Sequence, residues 1–168
     1  GLSIGAYSTP IVRGAQIDGL ITRGINHWGN SGGLLSDLSV SNISGSTLAI
    51  AAGIWVEDSI PLIEDSIVSR SDNGIYVRHI TDGWATRPTF EGVVVENSMY
   101  RGVMVEQYNH SQYSNLPLNA IFNDITVRGT GGPGAKTSGL AVAAFDINTS
   151  GVHIDVGLIE GNAAVGLR

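Results

Sequence analysis

Charged side chains recur at one position of three similar segments. The segments are residues 53–58, 74–79 and 102–107. Each begins with glycine and then alternates apolar and outward-facing positions, which is the period of a β-strand. Aligned on the glycine, the fifth position carries Glu57, Arg78 and Glu106 in turn. If the segments are neighbouring strands, these side chains form a carboxylate–guanidinium–carboxylate ladder, which can bind sugar hydroxyls or acidic substituents.

Aromatic and polar groups lie on either side of this predicted ladder. The column before it carries Trp55 and Tyr76, whose rings could stack on sugars, and the column after it carries Asp58 and His79. Cross-strand ion pairs are also common on a solvated sheet that binds nothing, so this purely structural interpretation stays open. The substrate-binding residues predicted for a sugar groove, with those of two adjoining loops, are Trp55, Tyr76, Arg78, His79, Trp84 and Tyr108.

Two arrangements of these groups could cleave a glycan. The candidate catalytic acids are Glu57, Asp58 and Glu106. Glu57 and Glu106, two strands apart, would have Cα atoms roughly 9–10 Å apart, near the wide carboxylate separation of an inverting glycosidase. Arg78 between them would hold both ionised, whereas a general acid needs a raised pKa.

A polysaccharide lyase would need other groups. It requires a base for the proton next to a uronate carboxylate and a cation that neutralises this carboxylate, and Arg78, His79 and Arg87 are the candidates. The four histidines are far apart in the sequence and form no recognisable ligand set, so we expect neither a metal site nor a cofactor.

The elements that position these residues belong to a repeat. A six-residue pattern, with an apolar residue, a spacer, usually Asp or Gly, and then a short strand, starts at residues 17, 35, 63, 90, 122 and 154, a mean step of about 27 residues. Such a period indicates a solenoid, and the absence of hairpin turns between equivalent strands predicts parallel pairing. A fourth strand of the ladder sheet is predicted at residues 139–144. The stacked interior then consists of Ile54, Ile75, Val103, Leu140, Val56, Val77, Val105 and Val142.

Composition agrees with short strands and excludes several functions. The chain has 168 residues, 23 glycines and only 14% charged residues, and no window shows helical spacing of apolar residues. A net charge of −6 provides no basic surface for nucleic acid. No apolar run approaches the roughly 20 residues of a membrane span, so we expect no membrane insertion. The chain has no cysteine, so cysteine usage does not indicate whether the protein works in an oxidising or a reducing compartment.

The glycine-initiated strands and the repeat resemble the right-handed parallel β-helix of the pectin-lyase-like proteins, which include polysaccharide lyases, glycosidases and phage tailspikes. The resemblance implies an all-β fold, a β-helix of about six coils, in one domain over residues 1–168. A solenoid needs terminal caps and neither end of the repeat shows one, so we expect the domain to be part of a longer chain. The resemblance also implies a polysaccharide or oligosaccharide partner and an extracellular or virion-surface location. The Asn-Thr-Asp, Gly-His-Gly and Arg-Ile-Lys motifs of the polygalacturonases are missing, so no catalytic residue can be transferred from that family.

A non-catalytic β-helix is the alternative. Such a chain would serve as a rigid spacer in an adhesin, or as the shaft of a fibre whose outer surface is buried in a homotrimer. Ala141, Ala143 and Ala144 would make the outward columns of the last strand small and apolar, which suits a subunit contact better than catalysis.

Overall fold

The chain folds into parallel sheets. The structure is a computed structural model and describes residues 1–19, 22–45, 51–80, 84–107, 118–131, 143–148 and 152–162. Within these ranges all regular structure is β-strand, and no helix of the length and apolarity that a membrane span requires is present. The strands are β1 (Leu2–Ile4), β2 (Ile11–Arg13), β3 (Gln16–Asp18), β4 (Arg23–Trp28), β5 (Leu34–Ser36), β6 (Ser39–Ser41), β7 (Ala52–Glu57), β8 (Leu62–Glu64), β9 (Ile67–Ser69), β10 (Asn73–His79), β11 (Thr89–Glu91), β12 (Val94–Glu96), β13 (Arg101–Gln107), β14 (Ile121–Arg128), β15 (Ala143–Asn148) and β16 (His153–Glu160).

Two parallel sheets share the strands in a repeating order. A six-stranded sheet has the order β1-β4-β7-β10-β13-β15, and the second sheet runs β2-β5-β8-β11-β14-β12-β9-β6-β3, with β16 paired to β14. The chain passes through one strand of the first sheet, then two short strands of the second, and returns to the first sheet beside its previous strand. The second sheet curls back at β14, which pairs with β11 through its first half and with β12 through its second.

Residues with positive φ form the corners of this path. Between the two short strands of a repeat lie Gly14, Asp37, Asp65 and Gly92, and after the second short strand lie Gly19, Asn42, Arg70, Asn97 and Gly129. Glycine adopts this left-handed conformation freely, and Asp and Asn adopt it more readily than other residues. The Asp or Gly spacer of the sequence pattern is therefore a corner residue.

One corner carries a residue that is poorly suited to it. Arg70 is exposed and has φ 51°, where the equivalent positions carry glycine or asparagine. We expect Arg70→Asn to raise the free energy of unfolding by about 0.5–1 kcal/mol, because the left-handed conformation is strained for a long side chain. Urea denaturation measures the change. Arg70→Ala is the control and should bring no gain, and equal stability of the two variants would contradict the explanation.

Apolar side chains from successive strands stack between the sheets. The alignment of Ile54, Ile75 and Val103 is confirmed, and all three are fully buried. This column of interior residues also includes Ile25 on β4, which was not predicted and which pairs with Ile54. On the facing sheet the Phe90 and Phe122 rings stack in parallel with their centroids 4.9 Å apart.

The predicted fourth strand of the ladder sheet is displaced by five residues. Strand β15 places Phe145 beside Val103 and Ile147 beside Val105, where Leu140 and Val142 were predicted. Residues 139–147 alternate in two overlapping registers, and in the observed one the Phe145 ring packs edge-on against Phe122 at 6.4 Å. The Phe145 ring is larger than the leucine side chain predicted at this position, and it fills the interior. Gly139, Leu140, Ala141 and Val142 lie outside the described residues.

The first copy of the six-residue pattern is also displaced. Leu35, Ile63, Phe90, Phe122 and Ile154 align as predicted. Their partner at the start of the chain is Val12, however, while Ile17 pairs with Val40 on the next short strand. The prediction placed the first copy one short strand too late. Both corners of a repeat accept Asp or Gly, so residues 12–17 and residues 17–22 both match the six-residue pattern.

Candidate functional site

The outer face of the six-stranded sheet carries the predicted ladder. Glu57, Arg78 and Glu106 lie side by side on β7, β10 and β13. The Arg78 guanidinium is 3.9 Å from a carboxylate oxygen of each glutamate, and the exposed fractions of the three side chains are 26%, 25% and 10% in that order. Trp28 pairs with Glu57 at one end and Asn148 pairs with Glu106 at the other. The predicted order of charges is thus confirmed, and Asn148 takes the place predicted for Ala143.

The predicted aromatic pair is present beside the ladder, but both rings are buried. Trp55 and Tyr76 are neighbours in register, with exposed fractions of 3% and 0%. Their rings meet edge-on with centroids 4.2 Å apart, and Met104 packs against them. Trp55 Nε1 donates to Glu57 Oε2 at 3.3 Å. Trp55 therefore helps to position the Glu57 carboxylate of the ladder from the neighbouring position on the same face of β7.

Arg23 covers the remaining face of Trp55. Its guanidinium carbon lies 3.7 Å from the ring centroid, and its Nη1 donates to Asn26 Oδ1 at 2.7 Å. Burial lowers the pKa of Arg23 below its usual value, nearby Arg78 lowers it further, and Glu57 opposes the shift. An arginine remains a cation despite such a shift. A half-buried, stacked guanidinium is a fixed positive charge that is prepared for an anionic or hydroxyl-rich ligand.

An open depression lies over these groups. Its volume is about 650 Å³. The described residues that line it are Gly1, Leu2, Ser3, Thr22, Arg23, Asn26, Trp55 and Arg78. This lining offers two guanidinium groups, an amide and hydroxyls, whereas the carboxylates lie beside it in the ladder. The depression is therefore a positively charged surface of mixed polar and apolar atoms, and among its described lining residues there is no pair of acids that could flank a glycosidic bond.

Asp58 and His79 lie in a buried corner instead of an outward column. His79 follows Val77 in the alternation of β10, so its imidazole is turned inward and is 1% exposed. Its Nδ1 is 3.0 Å from Asp58 Oδ1 and 2.9 Å from the Thr86 hydroxyl, and the amide of Ile80 donates to the same Asp58 oxygen. The Asp58 side chain thus stabilises the corner, and neither residue is open to a ligand in this structure.

Three aromatic residues, Tyr7, Trp28 and Trp84, lie near the carboxyl end of strand β4, opposite the end that carries Arg23. Trp84, a predicted site residue, is partly exposed, and its ring meets Tyr7 edge-on at a centroid distance of 6.2 Å. Trp28, on the outer face, donates from Nε1 to Ser3 Oγ at 3.4 Å. Sequence reasoning missed Tyr7 and Trp28. The Gly24-Ile25 pair, which matches the glycine-aliphatic start of the other three strands, could have revealed β4 and placed Trp28 beside Glu57.

The last strand of the ladder sheet, β15, differs from the prediction on its outer face. Asp146, at the position predicted for Ala141, accepts a hydrogen bond from Arg101 Nε at 2.6 Å, so the last strand is polar on its outer face. Ala143 pairs with Arg101. Tyr108 lies outside the described residues. Among the residues that the structure describes, no group of three or more His, Asp or Glu side chains is arranged to hold a metal ion.

Comparison of the chain with protein-family models, with curated proteins and with solved structures gave no match. The assignment of a function therefore depends on the geometry of the outer face.

Proposed function

We propose that this chain is a right-handed parallel β-helix that binds a polysaccharide on the outer face of its six-stranded sheet. The observation that supports the proposal is the open depression of about 650 Å³ that adjoins the Glu57–Arg78–Glu106 ladder. A bound polysaccharide would place the protein outside the cell or on a virion surface.

The arrangement of polar groups suits a sugar chain. A pyranose presents hydroxyl donors and acceptors around its rim, and the outer face presents carboxylates and guanidiniums that alternate across neighbouring strands. Parallel strands lie about 4.8 Å apart, so the charged groups repeat on the scale of a sugar ring. The Trp55 indole donates a hydrogen bond to Glu57 and stacks against the Arg23 guanidinium, so both charged groups are positioned before a ligand binds. Such preorganisation reduces the entropic cost of binding.

Binding without cleavage is the form of this function that the geometry favours. The Arg78 guanidinium lies between Glu57 and Glu106 and is 3.9 Å from an oxygen of each, so it stands between the two carboxylates where a hydrolase would need to place the glycosidic bond. Asp58, the other candidate acid, is 2% exposed and hydrogen-bonded within the corner. The ladder therefore suits hydroxyl recognition better than proton transfer.

Calorimetric titration with neutral and acidic hexasaccharides tests the proposal. We expect one of the oligosaccharides to bind the wild type and Arg78→Ala to weaken this binding at least tenfold, because charged hydrogen bonds contribute about 1.5–3 kcal/mol. Arg13→Ala, which removes an exposed arginine of β2 on the other sheet, is the matched control and should bind like the wild type. Failure of every oligosaccharide to bind, or equal binding by Arg78→Ala, would contradict the proposal.

A second candidate function is supported by the second sheet. Its outer surface carries a row of aliphatic side chains in register, Ile11, Leu34 and Leu62, and Ile11 is 71% exposed. Such a row suits the contact between subunits of a trimeric fibre shaft or adhesin. The mass of the protein in solution distinguishes the two: a stable trimer that binds no sugar supports the shaft, and a monomer that binds an oligosaccharide supports the polysaccharide-binding surface.

A further inference from the structure

We propose that Tyr7, Trp28 and Trp84 form a stacking platform for a sugar ring, so that a bound polysaccharide runs along strand β4 from the depression at Arg23 to this aromatic corner. The inference depends on the proposed function, because it names the part of the outer face that contacts the apolar side of the sugar. It adds a binding element that the charges of the ladder do not indicate.

The exposure of these rings is unusual for this chain. Tyr7 is 68% exposed and Trp28 is 41% exposed, whereas Trp55 and Tyr76 are buried. Two of the three tryptophans of the chain are thus at one corner of the surface. Tyr7 and Trp84 are in edge-on contact, and Trp28 comes directly before Gly29, which lies against the Trp84 ring, so exposed aromatic surface is concentrated at this corner. The apolar C–H face of a pyranose is a partner of the right size for an indole or phenol ring.

The backbone holds the corner in a strained arrangement. Ala6 and Tyr7 have φ values of 46° and 66°, a left-handed conformation that is costly for a bulky residue. The amide of Tyr7 donates to the carbonyl of Gly29 at 3.2 Å, which fixes this loop against the end of β4. This conformation and the hydrogen bond hold the Tyr7 ring in place beside Trp84.

Two glycines lie beside the tryptophan rings, and one of them makes room for a ring. A side chain at Gly5 would collide with the indole of Trp28, so the absence of one lets the ring lie against the β1 backbone. At Gly29, with φ 72°, an added Cβ would lie 3.9 Å from the Trp84 ring and 3.2 Å from the Ala6 amide nitrogen. The rings of Trp28 and Trp84 therefore pack on neighbouring segments of the same corner.

The platform is continuous with the polar depression. Ser3 lines the depression, and its hydroxyl accepts the hydrogen bond of the Trp28 indole. Strand β4 begins at Arg23 in the depression and ends at Trp28 on the platform, a distance of about 17 Å for a six-residue strand. A sugar stacked on the corner would have Glu57 within reach of its hydroxyls, since Glu57 is the register partner of Trp28. The polar and the apolar requirements of one oligosaccharide are thus met along a single strand.

A second protein copy fits the corner less well than a sugar. A fully buried aromatic side chain covers about 150–250 Å², so three rings that are already partly buried expose less than the roughly 800 Å² per partner of a standard interface. The surrounding groups are polar and charged, and the chain has a net charge of −6, which disfavours contact between like copies.

The test compares variants of the platform with variants of the ladder. We expect Tyr7→Ala and Trp84→Ala each to weaken the binding of a hexasaccharide, identified among cello-, chito- and galacturonate oligomers, by about tenfold. Saturation-transfer NMR should show the strongest contact for sugar C–H protons at one end of the ligand. Ile67→Ala, which removes an exposed apolar side chain from the other sheet, is the control and should leave the affinity unchanged.

The outcomes separate this inference from the proposed function. If the platform variants bind like the wild type while Arg78→Ala loses binding, the platform is overturned and the polysaccharide-binding surface stands. If no oligosaccharide binds the wild type, both fail. If the platform variants change the mass of the protein in solution and leave sugar affinity unchanged, the corner is a contact between copies and the inference is also overturned.

Discussion

Gly53→Ala is expected to lower the free energy of unfolding by about 3 kcal/mol, at the upper end of the usual cost of overpacking a core. A Cβ at Gly53 would collide with the Val68 side chain and lie 3.0 Å from the carbonyl oxygen of Gly74. Gly24 and Gly74 meet Val40 and Val95 in the same way. Because this contact repeats along the stack, a shift of one strand to relieve it would disturb its neighbours.

Urea denaturation of Gly53→Ala measures the loss, and Gly32→Ala is the matched control. A Cβ at Gly32 has its nearest contact at 3.4 Å, an ordinary van der Waals distance. The control should therefore be nearly as stable as the wild type. Adding Val68→Ala to Gly53→Ala should recover part of the loss, because the nearest obstructing group is then removed. Equal stability of Gly53→Ala and Gly32→Ala would show that the glycine column is not a packing requirement.

A loss of stability of similar size is expected when the pH falls from about 6.5 to 4. His27 stacks in the interior between Ile4 and Val56. Its Nε2 donates to the Gly32 carbonyl at 2.9 Å, and its Nδ1 lies 2.8 Å from the Ser31 hydroxyl. Burial lowers the pKa of His27 to about 4, although the hydrogen bond to Gly32 opposes the shift.

The sign of this pH effect follows from the proton balance. The unfolded chain takes up the proton near pH 6.5 and the folded protein only near pH 4, so the unfolded state binds more protons between these values. The contribution of His27 is complete above pH 6.5 and decreases as the pH falls to 4, a total of about 3 kcal/mol. Hydrogen bonds from Ser41 and Asn42 lower the pKa of Asp18. Carboxylates of this kind therefore change the stability at pH values below this range.

Equilibrium unfolding between pH 7 and pH 4 measures the effect. His27→Gln should flatten the profile, and His153→Gln, at an exposed position of β16, should leave it unchanged. If His27→Gln does not fold, NMR titration of the wild-type imidazole provides the same information. A His27 resonance that titrates near pH 6.5 would contradict the assignment.

The sequence predicted the stacking of strands well because local patterns determine it. Gly53-Ile54 and Gly74-Ile75 each combine a glycine that a close contact requires with an apolar residue of the interior, and Gly102-Val103 repeats this sequence pattern. Period-two alternation then determines which residues face outward, so the order Glu57, Arg78, Glu106 could be derived without coordinates. Where two registers were compatible with the pattern, as at residues 139–147, packing against Phe122 decided between them.

The accessibility of the outward residues could not be predicted in the same way. Alternation places Trp55 and Tyr76 on the outer face, yet Arg23 from a neighbouring strand covers one ring and Met104 packs against the cluster. Burial of an outward residue depends on side chains that are distant in sequence. Trp84 was predicted as a site residue, but Tyr7 and Trp28 were missed as its neighbours for the same reason, since the three residues come from separate segments.

The structure of the protein with a bound hexasaccharide is the most direct test of the central claim. We expect the sugar on the outer face of the six-stranded sheet, with hydroxyls or acidic groups at Arg23 and Arg78 and one ring against Trp28 or Trp84. A sugar bound to the second sheet, or no bound sugar at saturating concentration, would contradict the claim.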